Sequence, residues 1–450
     1  MEYLIRLPQL HESFRQPELE AVATLVGTDL EIVSYDYYSP YCIVKLPDET
    51  AARALISRTI LAKDIFELWG QGTSYEELHT DIHRRTQDRW ASYHNASFAF
   101  VIESFAGKRS SAFKRDIIQS FHYMKLSGPV KLKNPDEQFA VMEEYVSDAE
   151  SSKLGTEQLP EPRKIYMGRW IASSNREVIH KYDLKKRNYI STTSMEAELS
   201  LVTANMAHAA PGKLFFDPFV GTGSFLLAAS HFGALTLGAD IDPRSFRGKD
   251  GEYEKGEIAV MRNFKQYGTT SKFVDAFTSD LTNTPLRNSQ FLDGIVCDPP
   301  YGVREGLRVL GTRDGTTKEP VFIDGVAAHY RPGYIAPKRP YGFEAMQRDV
   351  LDFAARSLVP NGRLAMWMPT ASDEAVDFPV PMHPKLEPFH NWSRRLITYR
   401  RLPEGEISDV SQARSKADAE GTNADELNEF RRKYIVRNAP KREQSEKATQ

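Results

Sequence analysis

The chain has 450 residues, 41% hydrophobic and 26% charged, with a formal net charge of -3. At roughly 150 residues per domain that length holds two to three domains, and the near-neutral balance excludes a wholly basic nucleic-acid coat, so a nucleic-acid partner would have to meet local basic patches. No run approaches the roughly 18 to 20 apolar residues that cross a bilayer, the N-terminus lacks a basic region followed by a long apolar one, and two cysteines, Cys42 and Cys297, are too few for a disulfide framework, which argues against a membrane or secreted protein and for a reducing compartment such as the cytoplasm.

Residues 1 to about 170 alternate short strand-like runs, Tyr41 to Leu46 and Phe98 to Glu103, with helical ones, Pro17 to Val26, Thr50 to Arg58 and Arg115 to His122, which predicts an α+β region without a nucleotide loop. Ser147 to Arg163, rich in Ser, Glu and Pro, reads as an exposed loop. Arg169-Trp170-Ile171-Ala172 and Glu177-Val178-Ile179-His180 flank Ser173-Ser174-Asn175, and we expect a hairpin there, in a linker spanning 171–190. From about 191 to 403 the pattern becomes strand, helix, strand. Leu214 to Phe216, Leu235 to Leu237, Lys272 to Val274, Gly294 to Cys297 and Arg363 to Trp367 are apolar runs of the kind buried on both faces of a parallel sheet, which predicts a doubly wound α/β domain. Residues 404–450 carry 19 charged residues among 47 and two aromatics, too little apolar surface to offset ordering entropy; a mobile tail with one helix over Ala424 to Tyr434 is expected.

In Leu214-Phe215-Phe216-Asp217-Pro218-Phe219-Val220-Gly221-Thr222-Gly223-Ser224-Phe225 a strand runs into a glycine-rich turn and then an apolar helix. Gly221 and Gly223 let the backbone turn sharply at the mouth of a parallel sheet, where such folds bind ligands. The dinucleotide fingerprint needs a third glycine where this chain has Leu226, and no Walker lysine follows, so NAD and ATP are disfavoured. On its own a G-x-G after a strand only punctuates a turn. Here Asp240 follows the next strand 23 residues after Asp217, a spacing suited to ribose hydroxyls, with Asp242 as second choice. The third strand runs into Thr278-Ser279-Asp280-Leu281. The D-P-F-x-G-T-G-S pattern resembles motif I of S-adenosylmethionine-dependent methyltransferases, which implies that S-adenosylmethionine is the cofactor and that Asp280, ahead of Asp275, stands at the adenine edge.

Asp298-Pro299-Pro300-Tyr301 is the most specific signal in the chain. An exocyclic base amine is a poor nucleophile because its lone pair is conjugated with the ring. A carboxylate on Asp298 and the carbonyl of Pro299 can accept its two N–H bonds and turn that lone pair outward, the prolines stiffen the turn, and Tyr301 can stack on a flipped base. A strand ending in a capped Pro-Pro turn is the bland alternative, and its position on the fourth strand after the glycines argues against it. This turn resembles the [DNS]-P-P-[YFW] motif of amino-methyltransferases. Cys297 reads as a small buried strand residue.

The longer stretches Asp298 to Glu305, Arg187 to Leu199, His11 to Leu19 and Gly128 to Asp136 look like those of the eukaryotic tRNA guanine-10 N2-methyltransferase family, over nearly the whole chain. The resemblance implies a Rossmann-like methyltransferase domain over 191–403, preceded by a ferredoxin-like segment over 1–65 and a THUMP-like, tRNA-binding domain over 66–170. By position it implies cofactor contacts at Thr193 and Ser194, at Asp217, Phe219, Gly221, Thr222 and Gly223, at Asp240 and Ile241 for the ribose, and at Asp280 and Leu281 for the adenine. Asp298, Pro299, Pro300 and Tyr301 would meet the guanine. It also implies two partners, tRNA and a small zinc-binding activator subunit that covers an apolar patch of the catalytic domain. Glu196 departs mildly from the family, which more often has Asp there. Arg304, Glu305 and the loop to Tyr341 are expected on the substrate side.

His79 and His83, spaced i, i+4, lack a third metal ligand and read as a solvated helix face. Basic clusters at Lys108-Arg109, Lys114-Arg115, Lys131 and Lys133, and Lys185-Lys186-Arg187 are compatible with a phosphate-tracking surface. Two rival readings remain at this stage: a DNA adenine N6-methyltransferase, which shares the D-P-P-Y chemistry, and a non-catalytic tRNA-binding protein. The THUMP-like amino-terminal region argues against the first and the intact acids against the second.

Overall fold

A computed structural model of the chain describes residues 1–145, 161–248, 258–302, 307–311, 322–331, 334, 337–371, 392–406 and 426–428. These form two compact units, Met1–Val178 and Ile179–Gln450.

The described residues of the first unit are built on one seven-stranded sheet, with α-helices packed against it. Its elements run β1 (Glu2–Arg6), α1 (Glu12–Val26), β2 (Glu31–Tyr35), β3 (Tyr41–Lys45), α2 (Glu49–Arg58), β4 (Asp64–Gly72), α3 (Tyr75–Thr86), β5 (Phe98–Phe105), α4 (Ser111–Ser120), β6 (Glu137–Glu144) and β7 (Lys164–Ser173). The helix starts are legible locally: Asp48, Ser74 and Ser110 each accept a backbone N–H three residues on, one of the orphan donors of α2, α3 and α4. Strand order is β2-β3-β1-β4-β7-β6-β5, antiparallel except for the parallel β5–β6 pair. Alternation along the strands sends Tyr3 and Ile5 toward Leu19, Val22, Leu55 and Ile56 of α1 and α2, while Leu4, Ile43, Phe66 and Met142 fill a separate core. The expected division at 65/66 falls inside β4, which pairs with β1 and, over its whole length, with β7, so both parts share the sheet.

The expected hairpin is not formed. β7 continues to Ser173, paired with β4 along its length and with β6 over Lys164–Arg169, and Glu177–Lys181 is a short helix, α5. Val178-Ile179 suggested a strand; the acid at the start and the basic residues at the end of α5 suit the helix dipole, and Val178 alone is buried. The solvated face expected for His79 and His83 is also corrected. Both imidazoles are half-buried in an aromatic cluster with Phe121, Tyr123 and Trp90, and His79 Nδ1 lies 2.8 Å from the Tyr123 hydroxyl.

The second unit contains α6 (Ala197–Met206), β8 (Leu214–Asp217), α7 (Ser224–His231), β9 (Leu235–Asp240), α8 (Arg244–Arg247), α9 (Ala259–Tyr267), β10 (Phe273–Thr278), β11 (Leu292–Cys297), the small strands β12 (Arg308–Leu310), β13 (Phe322–Ile323), β14 (Val326–Ala327) and β15 (Lys338–Pro340), then α10 (Phe343–Ser357), β16 (Leu358–Ala371) and β17 (Trp392–Arg400). Its six-stranded sheet has the order β10-β9-β8-β11-β16-β17; all neighbours are parallel except β17, which runs antiparallel on β16. After β8 the chain builds outward through β9 and β10 and then returns to the other side of β8 with β11. The carboxyl ends of β8 and β11 therefore flank the point where strand order reverses, the crevice in which α/β sheets bind ligands. The doubly wound α/β domain is as predicted. Its core joins Phe216, Ile295, Cys297, Leu364 and Met366 to Met346, Val350 and Phe353 of α10. The segment containing the expected 424–434 helix is described only at 426–428, where the chain makes a turn and a bend. Residues 147–160 of the expected exposed loop, together with Arg304 and Glu305, lie outside the described residues.

Candidate active site

Asp217 ends β8 almost fully buried, and its Oδ1 accepts the Phe219 amide at 2.9 Å, which folds the chain back into the glycine turn. Gly221 (φ +48) aims its own amide at Asp240 Oδ2, 3.1 Å away. Gly223 (φ +78) starts α7, and a Cβ there would come 2.5 Å from Val260 Cγ2 on α9, so only glycine fits both backbone and neighbour. The Arg187 to Leu199 stretch is strapped over this turn. Arg187 Nη1 donates to Ser224 Oγ at 2.7 Å, Asn263 of α9 exchanges two hydrogen bonds with the Tyr189 backbone, and the Ser194 and Thr222 hydroxyls meet at 2.7 Å. Thr193 is exposed beside them.

Three carboxylates converge at these strand ends. Burial pushes the Asp217 carboxyl well above the usual carboxylate range, and the charges of Asp240 and Asp298 push it further, against the Phe219 amide. Asp240 is also raised by burial, opposed by the amides of Asp242 and Gly221. Neither makes an ion pair among the described residues. A ligand carrying a cationic group and hydroxyl donors suits these acceptors, as the ammonium and ribose diol of S-adenosylmethionine would, with its sulfonium adding positive charge. Asp242 differs: Arg244 binds its carboxylate at 2.7 Å and holds it below the usual range, which leaves Asp240 as the acid open to a diol. Asp275 is exposed in the middle of β10, whereas Asp280 is buried. Asp280 Oδ1 takes the amide and hydroxyl of Thr282 at 2.7 and 2.8 Å and its Oδ2 takes the Leu310 amide at 2.7 Å, so this acid also pins β12 beside the site. Leu281, Phe219 and Tyr301 are half-buried against the core, and Ile241 is half-buried after β9.

At the end of β11, Asp298 enters the turn with Pro299 buried and Pro300 exposed. The Tyr301 hydroxyl donates to Asp298 Oδ1, and Arg394 Nη1, from β17, lies 3.4 Å from Oδ2. Charge-assisted pairs close to about 2.7–2.9 Å, so this pair is a loose one at 3.4 Å. Burial lifts the Asp298 carboxyl to about 6, and the charge and hydrogen bond of Arg394 oppose that rise. At neutral pH this carboxylate is therefore mostly ionised, by about ten to one. Cys297, fully buried, has its thiol raised well above the ordinary range by burial first and by Asp217 and Asp298 next, and it remains a neutral strand residue.

Two family profiles match the chain: the Tmrp11 THUMP N-terminal domain over residues 1–176 and the RMKL-like methyltransferase domain over residues 185–309. The chain is 43% identical to the tRNA (guanine(10)-N(2))-methyltransferase of Saccharomyces cerevisiae, covering 88% of this chain and 92% of that one. It is 37% identical to the enzyme of the same name from Schizosaccharomyces pombe, over 90% and 91%, and 34% identical to TRMT11 of Homo sapiens, over 90% and 89%. The chain belongs to the tRNA (guanine(10)-N(2))-methyltransferase family.

In this family member the structure brings Asp217, the glycine turn, Asp240 and Asp298 to one end of one sheet, with Ser194 tied to the turn through Thr222. Two contributors escaped the sequence reading. Arg394 sits on a strand whose Ser393-Arg394-Arg395 opening resembles a solvated charge cluster, although the alternation that puts Ile397 and Tyr399 into the core marks β17 as a strand. Asn428 comes from the charge-rich tail, is almost fully buried, and donates to the Tyr301 carbonyl at 3.0 Å; no local pattern announces it.

Proposed function

We propose that this chain is the catalytic subunit of a two-subunit enzyme that methylates the exocyclic N2 amine of guanine 10 in tRNA, with S-adenosylmethionine as methyl donor. The observation that carries this reading is the position of the Asp298–Tyr301 turn at the strand-order reversal, next to buried Asp217 and half-buried Asp240, in a chain similar along its length to tRNA (guanine(10)-N(2))-methyltransferases. S-adenosylmethionine, when bound, supplies an electrophilic sulfonium methyl. Asp217 and the Gly221–Gly223 turn, with Phe219 and Thr222, would hold its methionine part, Thr193 and Ser194 would shelter it, and Asp240 and Ile241 would take the ribose. Asp280 and Leu281 would border the adenine. Asp298 Oδ2 and the Pro299 carbonyl accept the two N–H bonds of the guanine amine, which frees its lone pair, and Oδ2 is the acceptor for the proton that the amine sheds. Pro300 stiffens the turn, and the Tyr301 ring offers a stacking face while its hydroxyl steadies Oδ1.

Residues 1–65 and 66–170 act, in this proposal, as ferredoxin-like and THUMP-like lobes of one tRNA-holding unit, 171–190 leads into the catalytic domain of 191–403, and 404–450 is its tail. The second subunit is the small zinc-binding activator implied by the resemblance. The complex works in the cytoplasm; no helix among the described residues is long and apolar enough to cross a membrane. Nucleoside mass analysis of tRNA from cells lacking the protein tests the substrate: N2-methylguanosine at position 10 disappears, and its persistence at the normal level sinks the reading. Coproduction with the activator tests the partnership, since a chain that methylates tRNA equally fast alone has no need of it.

A further inference from the structure

Asn428 lies in a segment, 404–450, with 19 charged residues among 47, yet it is 2% exposed. A buried side-chain amide is costly without partners. Asn428 Nδ2 finds one in the backbone carbonyl of Tyr301, 3.0 Å away and 127 residues earlier. Its neighbour makes a second contact. Leu427 O accepts the amide of Phe343 at 3.3 Å, and Phe343 is the first residue of α10, whose N-cap Gly342 supplies no side-chain cap. A tail carbonyl thus satisfies one of the orphan donors at the start of α10. Tyr301 and Phe343 bracket the insertion that follows the D-P-P-Y turn, and Tyr341 N is tied to Leu307 O at 3.0 Å within it. Leu427 and Asn428 therefore bridge the two ends of that insertion at its base.

We propose that Asn428, together with the Leu427 carbonyl, is a positioning residue for methyl transfer: the C-terminal segment clamps the base of the 302–342 insertion and holds the Tyr301 carbonyl, fixing the Asp298–Tyr301 turn in its amine-accepting form. This rests on the function proposed above. Asn428 touches neither of the acids at the glycine turn, so its effect falls on the rate and spares the cofactor site. Loss of a single neutral hydrogen bond in the path of the turn corresponds to roughly tenfold.

The test uses the full chain, coproduced with whatever partner the wild type needs, as Asn428→Ala and Asn428→Asp, and a chain ending at residue 406 assayed with and without a synthetic peptide of residues 420–436. Asn428→Ala should lower kcat for tRNA methylation about tenfold and leave S-adenosylmethionine affinity within about twofold. Asn428→Asp should be worse, because a carboxylate oxygen then faces the Tyr301 carbonyl. Wild-type peptide should restore the shortened chain saturably, and the peptide carrying Asn428→Ala should not. Wild-type kcat in Asn428→Ala overturns the proposal. So does a parallel loss of rate, cofactor affinity and melting temperature without peptide rescue, the mark of a general scaffold. Should the shortened chain not fold, the two point variants decide the matter through the split between kcat and cofactor affinity. Failure of the underlying function is separable, since the wild-type chain itself would then form no N2-methylguanosine.

Discussion

Replacing Arg394 by Gln should move the pH dependence of catalysis without lowering its ceiling. Asp298 must be ionised to accept the amine, and its carboxyl stands at about 6, raised by burial and held down by Arg394 at 3.4 Å. The groups facing it are Arg394 from β17, Tyr301 from its own turn, Asp217 from the end of β8, whose own carboxyl is raised well above the usual range by burial and by the charges of Asp240 and Asp298, and the neutral Cys297 thiol. Two unit charges about 4 Å apart at an effective dielectric near 20 interact by about 4 kcal/mol. Both side chains retain about a fifth of their exposure, 18% and 21%, so solvent screening reduces that figure. A net of about 1.4 kcal/mol corresponds to one pKa unit. The Asp298 midpoint should therefore rise from about 6 to about 7. The sign follows from which form is active: the ionised carboxylate is lost as pH falls through the folded-state value, so a higher value shifts the acidic limb toward neutral pH. Single-turnover methylation across the pH range should show a loss of about fivefold near pH 6, about twofold near pH 7 and almost none above about pH 8.5. Arg394→Lys should keep most of the wild-type profile. An equal loss at every pH, or an unmoved midpoint, would show that Arg394 supports β17 and does not govern the charge on Asp298.

Asp298→Ala should abolish methyl transfer, by about 10² to 10⁴, while cofactor affinity measured by calorimetry stays within a few fold; near-normal turnover would remove Asp298 from the mechanism. Asp240→Ala should weaken S-adenosylmethionine binding by roughly 1 to 3 kcal/mol, and unchanged binding would pass the ribose role to Asp242 or to neither acid. Gly223→Ala should lower the melting temperature, by the equivalent of about 1 to 3 kcal/mol, because a left-handed backbone acquires a Cβ that collides with Val260; an unshifted melting curve would mean that the turn relaxes freely. A chain beginning at Ile179 should still bind cofactor but bind tRNA far more weakly and with a shallower salt dependence; equal affinity would place the tRNA surface in the catalytic unit.

Much of the catalytic sheet was legible because its strands are short apolar runs ended by acids or glycines, so that period, punctuation and chemistry agree at Asp217, Asp240 and Asp298. Most of what escaped depends on tertiary placement. Glu177-Val178-Ile179-His180-Lys181 reads like a strand at Val178-Ile179, but its acid at the start and basic residues at the end suit a helix, and only Val178 is buried. His79 and His83 occupy helical spacing that reads as a solvated face until Phe121 and Tyr123, about forty residues later, close over them. Asp280 was expected at the adenine, and nothing local shows that its second oxygen also holds Leu310. Arg394 and Asn428 reach the catalytic turn across separations of 96 and 127 residues, beyond any window in which pattern reading operates.

The pairing of β4 with β7 bears on how the chain is made. Asp64 and Ser173 are joined in the finished sheet but lie 109 residues apart, so β4 emerges long before the strand that covers it. At roughly 5 to 20 residues per second, synthesis leaves that edge without β7 for about 5 to 20 s. Phe66, Leu68 and Trp69, all buried in the end, are carried on the waiting strand. A bare apolar edge is a template for mispairing, and long-range closure is slow. The amino-terminal unit should therefore be the part of this enzyme that depends most on chaperones during synthesis, and a ribosome stalled between residues 72 and 164 should release an aggregation-prone chain.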